Sequence, residues 1–374
     1  MSVIKKDKML KKNKKLKIAV ITGWTHNKIG GVENYCAICY ENWGEKYEIT
    51  EFPLLETGLG NFQVRSKNEK ITIDYSLLGK KPYSIMWMGT YKQTVMKKIY
   101  QTFDIVILNT SFPPRKWITH PKSVLVQHMH NKWYALGGKD WKVSMGQFFS
   151  TLFFGVGTFT NALKNAKNVV FFVPETYEQT KANNIFYIPL TSHLSHEIKT
   201  YPVIRNNFSF IGRLENQQKN ITALIKLANW NREINIYGHG NMIKKLNNKL
   251  QDKSQYRGPA KKAQINEILQ TTKALLITSH YEGFPTIAVE ALSNGVPIIM
   301  FDTFNSVKFF EKSGAVFIIE KNNLLEFNQK INWLKNLPPQ EYQKITQNAL
   351  TFAKTYLSKE MFWSNWDKVL QTFY

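Results

Sequence analysis

The sequence predicts an α/β protein built from two doubly wound domains that face one another across a central cleft. Three observations carry that prediction. Strand-like apolar runs alternate with helical patterns almost throughout, the mark of parallel sheets with helices on their faces. The chain has 374 residues, and single hydrophobic cores stop growing at roughly 250–300 residues. A weakly periodic stretch at 189–206, punctuated by Ser, Thr, His and Pro, separates two sets of runs and reads as the interdomain linker.

In the first set, strands are expected at Ile18–Ile21, Ile105–Leu108, Val124–Gln127, Val169–Phe172 and Ile185–Ile188. In the second they are expected at Phe208–Ile211, Ile234–Tyr237, Leu275–Thr278, Pro297–Met300 and Ala315–Ile319. Helical patterns lie between them, as at Asn220–Asn229, Met242–Leu250 and Pro285–Asn294, and a final amphipathic helix carries Phe362, Trp363, Trp366, Val369 and Leu370. A ligand in such a fold sits at the carboxyl ends of the strands, in the cleft.

Composition narrows the function. Hydrophobic residues make up 43% and aromatics 14%, ample for packed cores. Fifty basic against 27 acidic residues leave a net charge of +23, a field that draws anionic partners such as nucleic acid, anionic lipid, acidic polymers or nucleotide sugars. Nucleic acid is disfavoured, because no recognition motif and no interleaved aromatic–basic pattern occurs. The first 17 residues hold eight lysines and the single acid Asp7; they read as a solvated tail or as a tether to an anionic membrane surface.

No run approaches the roughly 18–20 apolar residues that span a bilayer. Phe148–Phe159, near Trp133 and Trp141, is short and broken by Ser, Thr and Gly. It reads as a buried helix or as a segment dipping into a membrane interface. Cys36 and Cys39 are the only cysteines and no leader precedes them, so a cytoplasmic location is expected. They fall within a predicted helix and lack a second ligand pair, so they read as core rather than as a zinc site.

The stretch from Ser279 to Pro297 is the most informative. A buried strand runs into the loop Glu282-Gly283-Phe284 and then a helix, with Pro285 at the first turn, Gly295 past the end and Pro297 blocking continuation. Free N–H groups at that helix start suit a phosphate or sugar hydroxyls. Glu290 lies among Ile287, Ala288, Val289, Ala291 and Leu292. A carboxylate there requires a partner, either a ligand's ribose hydroxyls or a structural cation.

A second block, Phe208 to Glu215, ends a strand at Gly212 and offers Arg213 and, six residues on, Lys219 with Asn220. Arg213 is suited to a bidentate grip on a diphosphate and Lys219 to a point charge; as surface cations they are also ordinary. A third block, Gly30-Gly31-Val32-Glu33, lies between the first strand and a helix, where glycines permit close approach of a ligand. It is neither a dinucleotide fingerprint nor a Walker A loop. His128, or its neighbour His130, follows a strand at the cleft edge, and Gly238-His239-Gly240 marks another strand end.

Together and in this order these blocks resemble the glycosyltransferase family 4 group of GT-B enzymes, whose Glu-x7-Glu motif is matched by Glu282 and Glu290 with their Gly-Phe-Pro and Glu-Ala-Leu-x-x-Gly-x-Pro flanks. The resemblance implies two Rossmann-like domains: residues 1–190 binding the acceptor, residues 205–350 binding the nucleotide sugar, and a helix at 358–374 packing back on the first. It implies that Arg213 and Lys219 bind the donor diphosphate, with Gly212 and Gly238 allowing close backbone approach. Glu290 would hold the ribose, and Glu282 with the loop N–H groups of Gly283, Phe284, Pro285 and Thr286 would hold the donor sugar. Gly30 and Gly31 would close over the diphosphate, and His128 would sit beside the sugar.

Such enzymes retain anomeric configuration without a metal or other cofactor, and the chain has no Asp-x-Asp motif. The implied reaction moves a hexose or N-acetylhexosamine from a UDP-sugar to a cell-surface glycan, glycolipid or polyol-phosphate acceptor. A catalytically silent partner protein and a sugar-nucleotide epimerase are the alternatives on the same fold. The chain departs from many relatives at Pro285-Thr286, at Pro189-Leu190-Thr191-Ser192-His193 and at Asn305-Ser306-Val307-Lys308, positions that bear on which sugar is used.

Overall fold

The computed structural model describes residues 15–23, 25–27, 31–54, 70–77, 90–109, 115–127, 166–173, 182–192 and 205–373. Within them the chain forms two wholly parallel sheets. Strands β1 (Lys17–Thr22), β2 (Glu48–Pro53), β3 (Thr72–Ile73), β4 (Ile105–Asn109), β5 (Ser123–Val126), β6 (Asn168–Phe171) and β7 (Asn184–Tyr187) make the first, in the order β3-β2-β1-β4-β5-β6-β7. Strands β8 (Asn207–Ile211), β9 (Ile234–Tyr237), β10 (Tyr256–Gly258), β11 (Thr272–Ile277), β12 (Ile298–Phe301) and β13 (Val316–Ile319) make the second, in the order β10-β9-β8-β11-β12-β13.

The central strands are unbroken apolar runs because both faces of each sheet are covered. Every residue of β4, β5 and β12 is buried, and neighbouring strands stay in register, as in Ile18↔Ile105 through Thr22↔Asn109. In both sheets the order reverses beside the first strand: between β1 and β4 in one, between β8 and β11 in the other. Crevices for ligands open at such points, outside the carboxyl ends of the strands.

All ten expected strands are present, within a few residues of their predicted ends. Three others escaped the sequence reading. β3 and β10 have only two and three residues. β2 reads Glu-Ile-Thr-Glu-Phe-Pro, and its two glutamates and proline hide a strand that nevertheless pairs with β1 along its whole length. The lysine-rich residues 1–14, the segment Phe148–Phe159 and positions 193–204 of the linker lie outside the described residues.

The helix Gly31–Lys46 covers one face of the first sheet and carries Cys36 and Cys39, both buried and neither in a disulfide. The final helix, Lys359–Gln371, begins at Ser358, whose hydroxyl accepts a hydrogen bond from the Met361 N–H. It lies against Gly31–Lys46. Trp366 meets Trp43 edge-on at 5.0 Å, Phe362 meets Tyr35 at 5.6 Å, and the Trp363 indole N–H donates to the Ile38 carbonyl at 3.0 Å. Lys46–Asp367 and Lys359–Glu41 pairs flank this contact.

Trp366 is fully buried, so truncation removes its transfer energy and leaves a cavity. Trp366→Ala is expected to cost about 3–5 kcal/mol of stability, checked by guanidinium unfolding followed by circular dichroism. Retention of full stability would show that the final helix contributes little to the first sheet's core.

Candidate functional site

At the reversal point of the second sheet, five side chains from two loops form one hydrogen-bonded cluster. β8 ends at Ile211, and the loop after it leads through Gly212 and Arg213 to the short helix Asn216–Lys219. Asn220 ends that helix in the left-handed conformation (φ 52°, ψ 52°) that asparagine tolerates, and its side chain accepts from the Ala223 N–H to begin the next helix. Lys219 is thereby fixed at a tight corner. The Thr278 hydroxyl, just past β11, donates to the Lys219 carbonyl at 2.8 Å, tying the two loops together.

Glu282 follows in the loop after β11 and is 6% exposed. Lys219 forms an ion pair with its Oε1, and the Ser279 hydroxyl donates to the same oxygen at 2.6 Å. The Gln218 amide donates to Oε2 at 3.2 Å, while its own oxygen accepts from the Arg213 guanidinium at 2.9 Å. A buried carboxylate needs such partners, and here they also place two cations side by side. The Arg213 side chain is 63% exposed, open to an anion arriving from the cleft.

Glycines make the corner possible. A Cβ on Gly238 would stand 1.9 Å from the Gly212 carbonyl oxygen, and one on Gly240 would stand 2.4 Å from that of Leu214. The loops after β8 and β9 therefore run in direct backbone contact, held by the Leu214 N–H donating to the His239 carbonyl at 2.7 Å. At Gly212 a Cβ would meet only ordinary contacts.

The helix Thr286–Ser293 starts after Pro285, which is its N-cap and contributes no N–H. The expected row of loop N–H donors is thus interrupted at Pro285. The Phe284 ring is buried against Phe309, Phe310 and Phe172, the residue just past β6. Gly295 ends the helix with φ 65°, the left-handed position expected of it.

Thr286 and Glu290, one turn apart, line a small pocket with Asn34, Thr191, Ser192 and Lys262. Residues from both halves of the chain thus bound Glu290. Ser192 donates a hydrogen bond to its Oε1 at 3.3 Å. Burial pushes its carboxyl up to about 7, against the smaller opposing effects of the Ser192 bond and the Lys262 charge.

Sequence reasoning missed Gln218, Ser279, Ser192 and Lys262. Only contact reveals them, since polar residues in loops carry no pattern of their own. His128, His130 and Gly30 lie outside the described residues, and Gly31 opens the Gly31–Lys46 helix. Among the described residues no group of three or more His, Cys, Asp or Glu converges as for a metal ion, and no helix is long and apolar enough to cross a membrane.

Residues 196–352, which contain this cluster, match the family model of glycosyl transferases group 1. The chain extends beyond that match on both sides. Its architecture is that of GT-B glycosyltransferases: a lipopolysaccharide outer core galactosyltransferase, WaaB, superposes with a TM-score of 0.68 at 15% identity, covering 96% of this chain and 99% of that one. HepE of Anabaena in complex with UDP and glucose gives 0.65 at 13%, covering 95% and 99%. TarM of S. aureus, in complex with Fondaparinux, alpha-GlcNAc-glycerol and UDP, gives 0.55 at 17%, covering 75% and 58%. In sequence, 262 residues are 26% identical to a poly(glycerol-phosphate) alpha-glucosyltransferase of Bacillus subtilis, 66% of this chain but 37% of that protein. The chain thus spans well under half the length of that relative.

The raised carboxyl of Glu290 sets a pH dependence. Its folded value of about 7 lies above the ordinary 4.5, so its contribution to stability is complete below pH 4.5 and is lost as pH rises through 7. The Glu290→Gln variant lacks that loss. Between pH 4.5 and 7.5 wild type is expected to lose up to about 3 kcal/mol relative to the variant, read from paired thermal melts across that range. Parallel curves would exclude a buried, neutralised Glu290.

Proposed function

We propose that this chain is a glycosyltransferase that moves a hexose or N-acetylhexosamine from a UDP-sugar to a polyol-phosphate acceptor, with retention of configuration and without a metal. One observation carries the reading: Arg213, Lys219 and Glu282 share a single hydrogen-bonded cluster at the reversal point of the second sheet. Two cations beside a carboxylate match the two parts of a sugar diphosphate, the anionic leaving group and the hydroxylated ring.

In this reading Arg213 and Lys219 hold the diphosphate and stabilise the charge that develops as the sugar departs. Glu282 accepts hydrogen bonds from the sugar's hydroxyls, exchanging some of the bonds it now receives from Lys219, Ser279 and Gln218. Glu290, across the pocket from Asn34, accepts the ribose hydroxyls. Gly30 and Gly31 close over the diphosphate from the first half, and His128 lies beside the sugar. The contacts of UDP and glucose with HepE, a protein of the same fold, make UDP the donor nucleotide to try first.

The acceptor class draws on the poly(glycerol-phosphate) glucosyltransferase and on TarM with its glycerol glycoside. A net charge of +23 suits a polyanionic chain. The same charge suits docking at an anionic membrane surface, where cell-surface glycans and glycolipids are assembled.

The reading is tested by incubating the protein with UDP-, GDP- and ADP-sugars, with and without a poly(glycerol phosphate) oligomer, and reading the released or transferred anomer by NMR. Consumption of one α-linked donor with an α product is expected. Thermal stabilisation by a nucleotide sugar with no turnover on any acceptor would point instead to a silent partner protein. Neither turnover nor stabilisation would remove the transferase reading.

Within an active protein, Arg213→Ala is expected to lower kcat by about 10²–10³ with little change in melting temperature, because that side chain is exposed. Glu282→Gln, which keeps the shape of the buried group, is expected to lower kcat comparably while costing stability through the loss of the Lys219 ion pair. Steady-state kinetics and melts on the same preparations check both, and wild-type kcat in either variant would take that residue out of the site.

A further inference from the structure

The positive charge of the second half is concentrated on one side. Residues 222–262 hold nine basic residues and two acids, while residues 263–374 hold ten of each. Of the two acids, Glu233 is already paired with Lys335, and Asp252 accepts from the Ser254 hydroxyl. The excess falls on β9, β10 and the two helices beside them, Ile221–Trp230 and Ile243–Lys249. Lys226, Lys244, Lys245, Lys249 and Lys253 are all exposed. Among the described residues none of these five is in an ion pair.

The two helices set these lysines in rows. Lys226 stands four residues before Trp230 on one, and Lys245 four before Lys249 on the other, so each pair shares a helix face. The Lys245 ammonium donates to the Thr222 hydroxyl at 3.4 Å, and the Asn229 amide donates to the Lys249 carbonyl at 3.0 Å, so the rows run parallel and side by side. Like charges four residues apart weaken a helix, and the fold gains nothing from this arrangement. Trp230, 53% exposed, ends the first row. The rows begin at the donor corner: Thr222 donates through its N–H and its hydroxyl to Asn216, which opens the short helix ending in Lys219. Both helices start beyond the carboxyl ends of their strands, so the rows lead away from the cleft.

We propose that these two rows form a track for the body of a polyanionic acceptor, a phosphodiester chain whose reacting unit lies in the cleft. The lysine ammoniums meet successive phosphates as point charges, and the field of the unpaired cluster draws the chain in. The Trp230 ring offers an apolar face to the polyol carbons or to a sugar the chain already carries. A linear acceptor accounts for lysines arrayed outward from the cleft corner, a connection of which an anionic bilayer would make no use.

This inference rests on the transferase reading, and its test separates the two. Lys226→Gln, Lys245→Gln and Lys249→Gln are combined in one variant, and Lys226→Arg, Lys245→Arg and Lys249→Arg in a second that keeps the charge. Calorimetry without donor measures binding of a long poly(glycerol phosphate) chain and of a glycerol phosphate dimer. Steady-state kinetics with the UDP-sugar that the protein consumes give KM for both. The Gln variant is expected to weaken binding of the long chain and raise its KM at least about tenfold, with kcat and the dimer's KM within about twofold of wild type. Its long-chain binding should also depend less on salt, and the Arg variant should match wild type. Unchanged long-chain binding in the Gln variant would overturn the proposal, as would an equal loss for the dimer, which would put these lysines in the cleft. Loss of binding to phosphatidylglycerol vesicles with long-chain binding intact would make the face a membrane contact instead. A wild-type protein that binds the long chain but neither binds nor consumes any UDP-sugar would overturn the transferase reading alone.

Discussion

Burying the Glu282 carboxylate obliges this protein to bring donors to it from two loops, and much of the second half is organised by that need. Lys219 and Gln218 arrive from the corner after β8, Ser279 from the same loop as Glu282, and Arg213 is drawn in through Gln218. The corner itself depends on Asn220 in a left-handed conformation and on a glycine at 238 that lets two backbones touch. A carboxylate with fewer partners would be neutral or expelled. With them, it forms a charged cluster that is internally balanced yet exposes one guanidinium to the cleft.

The same logic recurs in the first half with different chemistry. There a fully buried carboxylate, Glu51, is satisfied by one backbone N–H, one imidazole and one phenol, and the imidazole's second nitrogen is left without a partner. In the second half the ionisable cluster sits where the strand order reverses, a place on a doubly wound sheet where neighbouring loops turn apart and leave room. Fold and chemistry are thus linked by topology rather than by any single motif.

That topology was largely legible in the sequence. Runs such as Ile18–Ile21 and Leu275–Thr278 are apolar because both faces of a parallel strand are covered, and each became a strand. Gly295 and Ser358 ended and began helices as their chemistry suggests. β2 was not legible, because Glu51 sits where an apolar residue is expected and only the three-dimensional partners of that carboxylate explain it. The packing of the Phe284 ring against Phe172 was not legible either, since the motif bears only on the backbone N–H groups of that loop. Side-chain direction at a strand-to-helix loop depends on what the opposite sheet offers, and local spacing holds no record of it.

The crossing of the last helix onto the first sheet has a consequence for how the chain comes to be folded during synthesis. Residues Trp43 and Tyr35 are translated before the second half, but the aromatic surfaces that cover them, Trp366 and Phe362, emerge only after it. Until residues 359–371 have left the ribosome, the earliest-made half presents an uncovered aromatic face, while the later-made half can already close its own core around Phe208, Leu224 and Phe301. The first half is therefore completed only by a helix that is made after the second half.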